Sequence, residues 1–322
     1  MARSLLLPGD RPLLNLALLA ATLATTFLVW WSGLHGGSPR VAEALAFSLS
    51  TVAILGAHEM GHYLFARLHG LQTSLPYFIP LPLGFGTLGA VIRIRSRIPH
   101  RNALVDIGAS GPIAGLIVAI PVLVVGLTLS TVGPVPDIPS NFPHDWSAIS
   151  LAQKLPAFVS SLFSGEPDES MFTGATVYGD NLLMQGLQRL VFGAIPEGHD
   201  VFVHPMVVAG WFGLLVTLLN LCPIGQLDGG HVAYAIFGER ARYVGMVTAA
   251  GLLFLALFFS ASWLVWLVVT TKFIGFEHPY LVDEEAKLST SRQVVALVCL
   301  VALVLCVVPV PIQIVTLPLG TP

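Results

Sequence analysis

Charged residues are scarce in this sequence. Asp, Glu, Lys and Arg make up 10% of its 322 residues, whereas 55% are hydrophobic. A soluble domain usually carries roughly 25% charged residues, so the composition indicates a membrane protein. The 15 basic residues nearly balance the 18 acidic ones and are scattered along the chain. The sequence therefore offers no broad basic surface, and we expect no nucleic acid partner.

Cysteine is also rare. The three cysteines, Cys222, Cys299 and Cys306, lie in apolar runs and show no CxxC spacing. An odd number without paired spacing argues against a zinc knuckle or a redox pair. We expect these thiols to pack as small apolar side chains.

Long apolar runs dominate the rest of the chain. A helix needs about 20 apolar residues to cross ~30 Å of hydrocarbon. The first run, 13–31, is too long for the apolar core of a signal peptide and predicts a retained anchor. The run 243–274 is too long for one helix, and Ser260–Ser262 predict a turn at its middle. The other runs are 43–68, 103–130, 203–222 and 292–309.

These runs predict an all-α polytopic membrane protein with seven transmembrane helices, or six as the alternative. We divide the chain into an N-terminal helix with an outer loop, a catalytic membrane core and C-terminal helices. Their bounds are 1–42, 43–242 and 243–322. Cytoplasmic loops are enriched in Lys and Arg. If the amino terminus lies in the cytoplasm, Arg40, Lys154 and Arg189 are the only basic residues that fall on the outer side of the membrane. We therefore expect the N-terminus to be cytoplasmic.

Two connections between the apolar runs have distinctive patterns. Segment 74–98 is rich in Pro and Gly and ends in the alternating "AVIRIRSRI", which predicts strand structure. It is either a cytoplasmic hairpin or a re-entrant β segment beside the active site, buried in protein as membrane depth requires. Loop 131–201 is rich in proline and lacks alternating strand patterns. Two amphipathic helices are expected in it, one after Pro156 and one around Leu183–Val191.

The segment "GAHEMGHYLFARLHG" (56–70) places polar residues inside an apolar run. His58, Glu59 and His62 form the pattern HExxH, and residues i and i+4 share one face of a helix. Both imidazoles can therefore bind one zinc ion while Glu59 acts as a base. Ionisable groups inside a membrane helix cost about 2.5–3.5 kcal/mol each, so they mark functional sites. The structural alternative is a polar network between helices.

A catalytic zinc ion usually takes three protein ligands and a water molecule. The second polar constellation is "LLNLCPIGQLDGGHV" (218–232), where Pro223 breaks the helix. Glycines at 225, 229 and 230 permit a close turn around Asp228. A carboxylate in this apolar setting is costly unless it is beside a cation. Asp228 is the predicted third ligand, with His231 and Cys222 as alternatives.

The combined motifs closely resemble those of the site-2 protease family of intramembrane zinc metalloproteases. HExxH is followed by NxxPxxxxDG, formed by Asn220, Pro223, Asp228 and Gly229. In addition, "GPIAG" (111–115) resembles the small-residue motif of the family's intervening helix. The resemblance covers about residues 43–242.

The resemblance implies that His58, His62 and Asp228 bind one catalytic Zn²⁺ ion and that Glu59 is the catalytic base. It also implies that Asn220 helps to hold the substrate backbone. The family fold is a bundle of transmembrane helices with zinc below the membrane surface on the cytoplasmic side. Nothing in the chain resembles the PDZ or CBS domains of many members, so a compact branch is expected.

The strand-like segment suggests how a substrate could be held. A peptide bond inside a helix is shielded, so the substrate must unwind before cleavage. An extended peptide could then pair with the edge of residues 87–97. The candidate substrate-binding residues are Gly86, Thr87, Leu88 and Gly89.

The resemblance further implies regulated intramembrane proteolysis. The expected partners are the lipid bilayer and a single-span substrate, such as an anti-sigma factor or transcription factor precursor trimmed by an upstream site-1 type protease. The expected location is the bacterial cytoplasmic membrane, with the active site opening to the cytoplasm. An alternative is a membrane metal-ion transporter that uses the same ligands. A single polar cluster and the presence of Glu59 argue against transport, and the intact motifs argue against a non-catalytic scaffold.

The small residues of 108–119 form a stripe that permits close helix contact. Simple helix packing is the favoured interpretation. Asp106, near the start of the same helix, is expected to make a hydrogen bond at the helix end.

Overall fold

The computed structural model describes residues 11–32, 40–135, 147–149 and 174–316. Most of these residues are helical. Pro12 and Pro205 each occupy the first turn of a helix, where a missing N–H removes no helical hydrogen bond. The helices are α1 (Pro12–Trp31), α2 (Val41–Leu68), α3 (Arg101–Thr128), α4 (Leu182–Phe192), α5 (Pro205–Leu221), α6 (Asp228–Phe237), α7 (Ala241–Phe258), α8 (Ser262–Val268) and α9 (Thr290–Cys306).

The strands are short and pair two by two. They are β1 (Tyr77–Pro80), β2 (Thr87–Val91), β3 (Thr131–Pro134), β4 (Gly174–Tyr178), β5 (His199–Phe202) and β6 (Ile312–Thr316). The antiparallel pairs are β1 with β2, β3 with β5, and β4 with β6.

Four helical segments of the described chain are long and apolar enough to cross a membrane. Three of them are α1, α2 and α3, and the fourth runs from Asp228 to Phe258 through α6, a short 3₁₀ turn and α7. The apolar helices Pro205–Leu221, Ser262–Ile274 and Thr290–Cys306 are shorter. The fold is therefore mostly helical, as expected for a membrane protein, and six or seven crossings remains a prediction.

The predicted break in the run 243–274 is confirmed. Helix α7 ends at Phe258 and α8 begins at Ser262. The Ser260 and Ser262 hydroxyls hydrogen-bond each other at 2.9 Å, and Trp263 donates to the Pro309 carbonyl. The turn is thereby fixed against the chain that follows α9.

The core lies where α2, α3 and α5 pack together. Its largest cluster includes Ile54 of α2, Leu123 of α3 and Leu214 of α5, and α9 joins it through Cys306. Close contact depends partly on glycine, because a Cβ atom at Gly210 would overlap Leu123. The three cysteines are free and buried, as predicted.

The β1–β2 hairpin lies against α1. The Asn15 side chain donates to the Pro76 carbonyl (2.8 Å), and the Thr25 hydroxyl donates to the Gly86 carbonyl (2.7 Å). Asn15 and Thr25 lie about 15 Å apart along a helix that rises 1.5 Å per residue. At the tip of the hairpin, Phe85 stacks on Phe212 of α5 with ring centroids 4.5 Å apart. The hairpin therefore extends along much of α1.

The predicted strand 87–97 is too long. Regular pairing ends at Val91, and beyond it Ile94 makes only an isolated bridge to Thr73. Pro76 has no N–H to continue the ladder, and the Ser74 hydroxyl accepts the Arg93 N–H instead. One proline and one competing side chain therefore end the regular β1–β2 pairing. The alternation of apolar residues in the sequence nevertheless continues beyond Val91.

Loop 131–201 contains more strand than the sequence indicates. Strand β3 pairs with β5 inside the loop, whereas β4 pairs with β6 from the far end of the chain. The paired segments are short and do not alternate apolar and polar residues, so no local sequence pattern predicts these pairings. The amphipathic helix expected around Leu183–Val191 is confirmed as α4. The one expected after Pro156 lies outside the described residues.

Two glycines of the hairpin loop offer a test of its contact with α1. Gly84 and Gly86 both have positive φ, at 58° and 85°. A Cβ at Gly84 has no neighbour within 4 Å, whereas one at Gly86 would lie 2.7 Å from the Thr26 nitrogen. Gly84→Ala should cost about 1–2 kcal/mol of backbone strain, and Gly86→Ala should add a typical overpacking cost of about 1–3 kcal/mol. Unfolding in detergent measures both, and equal losses would contradict the packing of this loop on α1.

Candidate metal centre

Three side chains from distant parts of the chain meet at one point. His58 and His62 lie one turn apart on α2, and Asp228 is the first residue of α6. The Asp228 Oδ2 atom lies 3.3 Å from His58 Nε2 and 3.2 Å from His62 Nε2. The two Nε2 atoms are 3.2 Å apart. The three ligand atoms therefore form a nearly equilateral triangle.

This triangle has the dimensions of one face of a zinc tetrahedron. Zn–N bonds of about 2.0–2.1 Å at tetrahedral angles place two ligand atoms about 3.3 Å apart. Two imidazole nitrogens and one carboxylate oxygen also match the chemistry of catalytic zinc sites, which leave a fourth position open. His58, His62 and Asp228 are thus able to hold one such ion.

Helix breaks and glycines bring Asp228 to the histidines. Helix α5 ends at Leu221, just before Pro223, and Gly225 turns the chain with φ of 51°. A Cβ at Gly229 would overlap the Leu221 carbonyl, and one at Gly230 would lie 2.7 Å from the Ile224 carbonyl oxygen. The start of α6 is therefore able to fold back closely onto the end of α5.

The orientation of His62 is fixed by the backbone of α3. Its Nδ1 atom lies 2.8 Å from the Ile107 carbonyl oxygen. A carbonyl only accepts hydrogen bonds, so Nδ1 carries the proton and Nε2 keeps its lone pair toward the centre. Metal-binding histidines usually donate their second N–H in this way. The Ser110 hydroxyl donates to the same carbonyl at 2.8 Å.

Glu59 lies beside the triangle and is buried, with 7% of its surface exposed. The backbone N–H of Ile92, just after β2, lies close enough to its carboxylate to interact with it. The end of the hairpin is therefore next to the predicted base. Asn220, on the last turn of α5, places its amide nitrogen 3.4 Å from His58 Nε2. Both residues thus lie at the candidate centre.

The small-residue stripe of α3 packs against the histidines. A Cβ at Gly111 would overlap the His62 ring, and one at Gly115 would lie 3.4 Å from His58 Nδ1. A Cβ at Gly108 would lie 2.9 Å from His231 Cβ. The expectation of simple helix packing is therefore incomplete, because these glycines also leave room for the imidazoles.

The rival ligands lie elsewhere. His231 Nδ1 hydrogen-bonds His278 Nε2 at 2.7 Å, and Cys222 is buried in the apolar core.

Asp106 does more than make the expected hydrogen bond at a helix end. Arg292 of α9 binds both of its carboxylate oxygens (2.8 and 3.0 Å), and His69 hydrogen-bonds it at 2.9 Å.

The candidate substrate-binding residues lie in the hairpin, outside the triangle. Thr87 is buried, and its hydroxyl donates to the Ile79 carbonyl at 2.9 Å. Leu88 is 68% exposed. It falls in the register shift where Ile79 pairs with Gly89 and Pro80 with Thr87, so it faces no residue of β1.

Sequence reasoning missed several contacts at the site. They involve the N–H of Ile92, the carbonyl of Ile107, and His278, which stacks on Tyr234 with centroids 4.2 Å apart. The first two are backbone groups, which carry no residue signature. His278 follows an apolar run without any motif.

Gly111 provides a test of the packing on His62. Gly111→Ala should displace the ring and lower zinc affinity by about 10–100-fold, as when a residue supporting a metal ligand is lost. Gly251→Ala on α7 is the matched control, because a Cβ there has open space. Zinc titration of the two purified proteins gives the measurement. Equal affinities would show that Gly111 does not position His62.

The comparisons with known proteins agree with this geometry. A model of "Peptidase family M50" matches residues 46–261. The chain is 34% identical over 204 residues to "Probable zinc metalloprotease EGY1, chloroplastic" of Arabidopsis thaliana, covering 63% of this chain and 31% of that protein. It is 30% identical over 223 residues to "Probable zinc metalloprotease EGY2, chloroplastic" of Oryza sativa subsp. indica, covering 69% and 34%.

The chain spans about a third of the length of these curated relatives. No solved structure matched it. The family model nevertheless covers two thirds of the chain, including every residue of the triangle. The chain belongs to peptidase family M50.

Proposed function

We propose that this protein is a zinc-dependent endopeptidase that cleaves peptide bonds within membrane-spanning segments. The observation that carries the proposal is the triangle of His58, His62 and Asp228 with Glu59 beside it. Two corners of the triangle and Glu59 belong to a helix of membrane-crossing length and composition. Membership of family M50 and the zinc metalloprotease names of the relatives support the same chemistry.

In the proposed mechanism, His58, His62 and Asp228 hold the zinc ion. When bound, the ion supplies a Lewis acid that acidifies a water molecule and polarises the scissile carbonyl. The Nδ1–H bond from His62 to Ile107 keeps one imidazole aimed at the ion. The water-excluding helices around the site strengthen these electrostatic interactions.

Glu59 is the proposed base. It accepts a proton from the attacking water and then delivers that proton to the leaving amine. The Ile92 N–H lies beside this carboxylate and supplies no competing charge. Asn220, within 3.4 Å of His58, is close enough to donate its amide to the substrate backbone or to a developing oxyanion.

The β1–β2 hairpin is proposed to lie at membrane depth as a re-entrant segment. Its contacts with Asn15, Thr25 and Phe212 support this placement, because all three belong to apolar helices. Among the described residues, strand β2 is paired with β1 on one side only. An unwound substrate could add to its other side, next to Glu59, through backbone hydrogen bonds.

The substrate is proposed to be a single-span membrane protein, such as an anti-sigma factor or a transcription factor precursor first trimmed by a site-1 type protease. We further propose that the N-terminus and the opening of the site face the cytoplasm of a bacterium. The distribution of Lys and Arg supports this orientation. The two curated relatives described above are chloroplast proteins of plants, so the orientation rests on charge alone.

Glu59→Gln separates proteolysis from metal transport. It should retain zinc, because Glu59 is not part of the triangle, but should lower cleavage of a single-span test protein by at least 10²-fold, the low end of general acid–base catalysis. Cleavage and zinc content are measured on the same reconstituted preparation, with Leu64→Gln, an exposed position of α2, as control. Equal cleavage by Glu59→Gln and wild type would overturn the protease proposal, and zinc flux unaffected by the change would favour a transporter.

The edge of β2 can be tested at Leu88. Leu88→Pro removes an N–H without breaking a β1–β2 pair, because Leu88 faces no β1 residue. It should slow cleavage at least tenfold, whereas Leu88→Ala, which keeps the N–H, should have a much smaller effect. Zinc content and melting temperature verify that both variants are folded. A folded, zinc-loaded Leu88→Pro protein with normal cleavage would rule out pairing at this position.

A further inference from the structure

An apolar cavity of about 520 Å³ lies behind the helix that carries Asp228. It is bounded by α6, α7 and α9 and by the end of α5. Leu221, Val232, Ala296, Cys299 and Leu300 are among its lining residues. His58, Glu59 and His62 are not, so this cavity is separate from the candidate metal centre. Its volume is within the roughly 300–1,000 Å³ range of small-molecule sites.

Among the described residues, Arg101 is the one charged residue that lines this cavity. Its Nε atom is buried and has no hydrogen-bond partner among the described residues. The described part of the chain also contains no carboxylate paired with its guanidinium. A buried guanidinium nitrogen without a hydrogen-bond partner destabilises the folded protein. A bound hydrogen-bond acceptor, preferably an anion, would remove this cost.

The cavity opens to the apolar outer surface of the protein. Four of its lining residues are 41–58% exposed: Ile236, Phe237, Leu297 and Leu300. Arg101 is the first residue of the membrane-length helix α3, where lipid headgroups are expected. The site thus combines an apolar pocket that opens to the outer surface with a cation at the end of a membrane-length helix.

We propose that this cavity binds an anionic phospholipid. The phosphate is held by the Arg101 guanidinium, and one acyl chain fills the space between α6 and α9. Arginine suits a phosphate because its planar fork donates two parallel hydrogen bonds. A transmembrane helix is about 10–12 Å wide with its side chains, so a cavity of about 520 Å³ holds less than two turns of one. A polar metabolite would leave its own groups unpaired against the apolar lining.

Cys299 makes the proposal directly measurable. All three cysteines are free and buried, but Cys299 lines the cavity, whereas Cys222 and Cys306 are absent from its lining. A bound acyl chain should shield Cys299 from a membrane-permeant maleimide, and the other two thiols should not respond. The full-length protein, delipidated in a non-ionic detergent, is incubated with phosphatidylglycerol, phosphatidylcholine of the same chains, or glycerol phosphate. Peptide mapping gives the labelling, and native mass spectrometry gives the bound lipid.

Phosphatidylglycerol should protect Cys299 and be retained at least fivefold better than phosphatidylcholine, about the effect of one basic residue at an anionic lipid surface. Arg101→Gln should abolish this preference and Arg101→Lys should largely keep it. Arg97→Gln, an exposed arginine outside the lining, should leave the preference unchanged. Ala296→Phe should exclude both lipids by filling the cavity.

Three results would overturn the proposal. The first is equal retention of the two lipids by the wild-type protein. This measurement does not depend on the folding of any variant. The second is equal protection by glycerol phosphate, which would mean that no acyl chain enters the cavity. The third is displacement of the lipid by a single-span peptide, which would make this space part of a protein-binding surface. None of these results depends on zinc or on proteolysis, so the proposed function is tested separately.

Discussion

Everything at the candidate centre depends on bringing two imidazoles and one carboxylate to within about 3.3 Å of one another inside an apolar bundle. Desolvating these groups is expensive unless each finds a partner. The partners come from the whole core: the Ile107 carbonyl for His62 and the Asn220 amide near His58, with the Ile92 N–H beside Glu59. The packing of α2, α3 and α5 therefore serves to satisfy one polar cluster.

Glycine and proline make this convergence possible. Two close approaches are required, one of α3 to the imidazoles at Gly111 and one of α6 to the end of α5 at Gly229. A side chain at Gly111 would push α3 away from the His62 ring, and one at Gly229 would push the helix that carries Asp228 away from the end of α5. Pro223 follows the end of α5, where the chain turns back and brings the Asp228 carboxylate to the histidines. The same turn forms one wall of the cavity that contains Arg101.

The hairpin connects the outer parts of the bundle with the centre. Its tip packs on Phe212, its side is bound to α1, and the residue after β2 lies beside Glu59. An unpaired strand edge in lipid would be unstable, since water is not available to satisfy it. Its placement between helices and beside the proposed base is consistent with an edge that is completed by substrate.

The sequence by itself determined the helical membrane architecture, the break at Ser260–Ser262, and the identities of His58, His62 and Asp228 as residues that meet. These features are encoded locally, by apolar runs, helical spacing and motif residues. Only the tertiary structure decided where β2 ends, which backbone carbonyl orients His62, and that β4 pairs with the distant β6. It also decided that Asp106 binds Arg292 across 186 residues. The reason is physical: backbone donors and acceptors are the same at every residue, so their pairing depends on which segments the packed helices bring together.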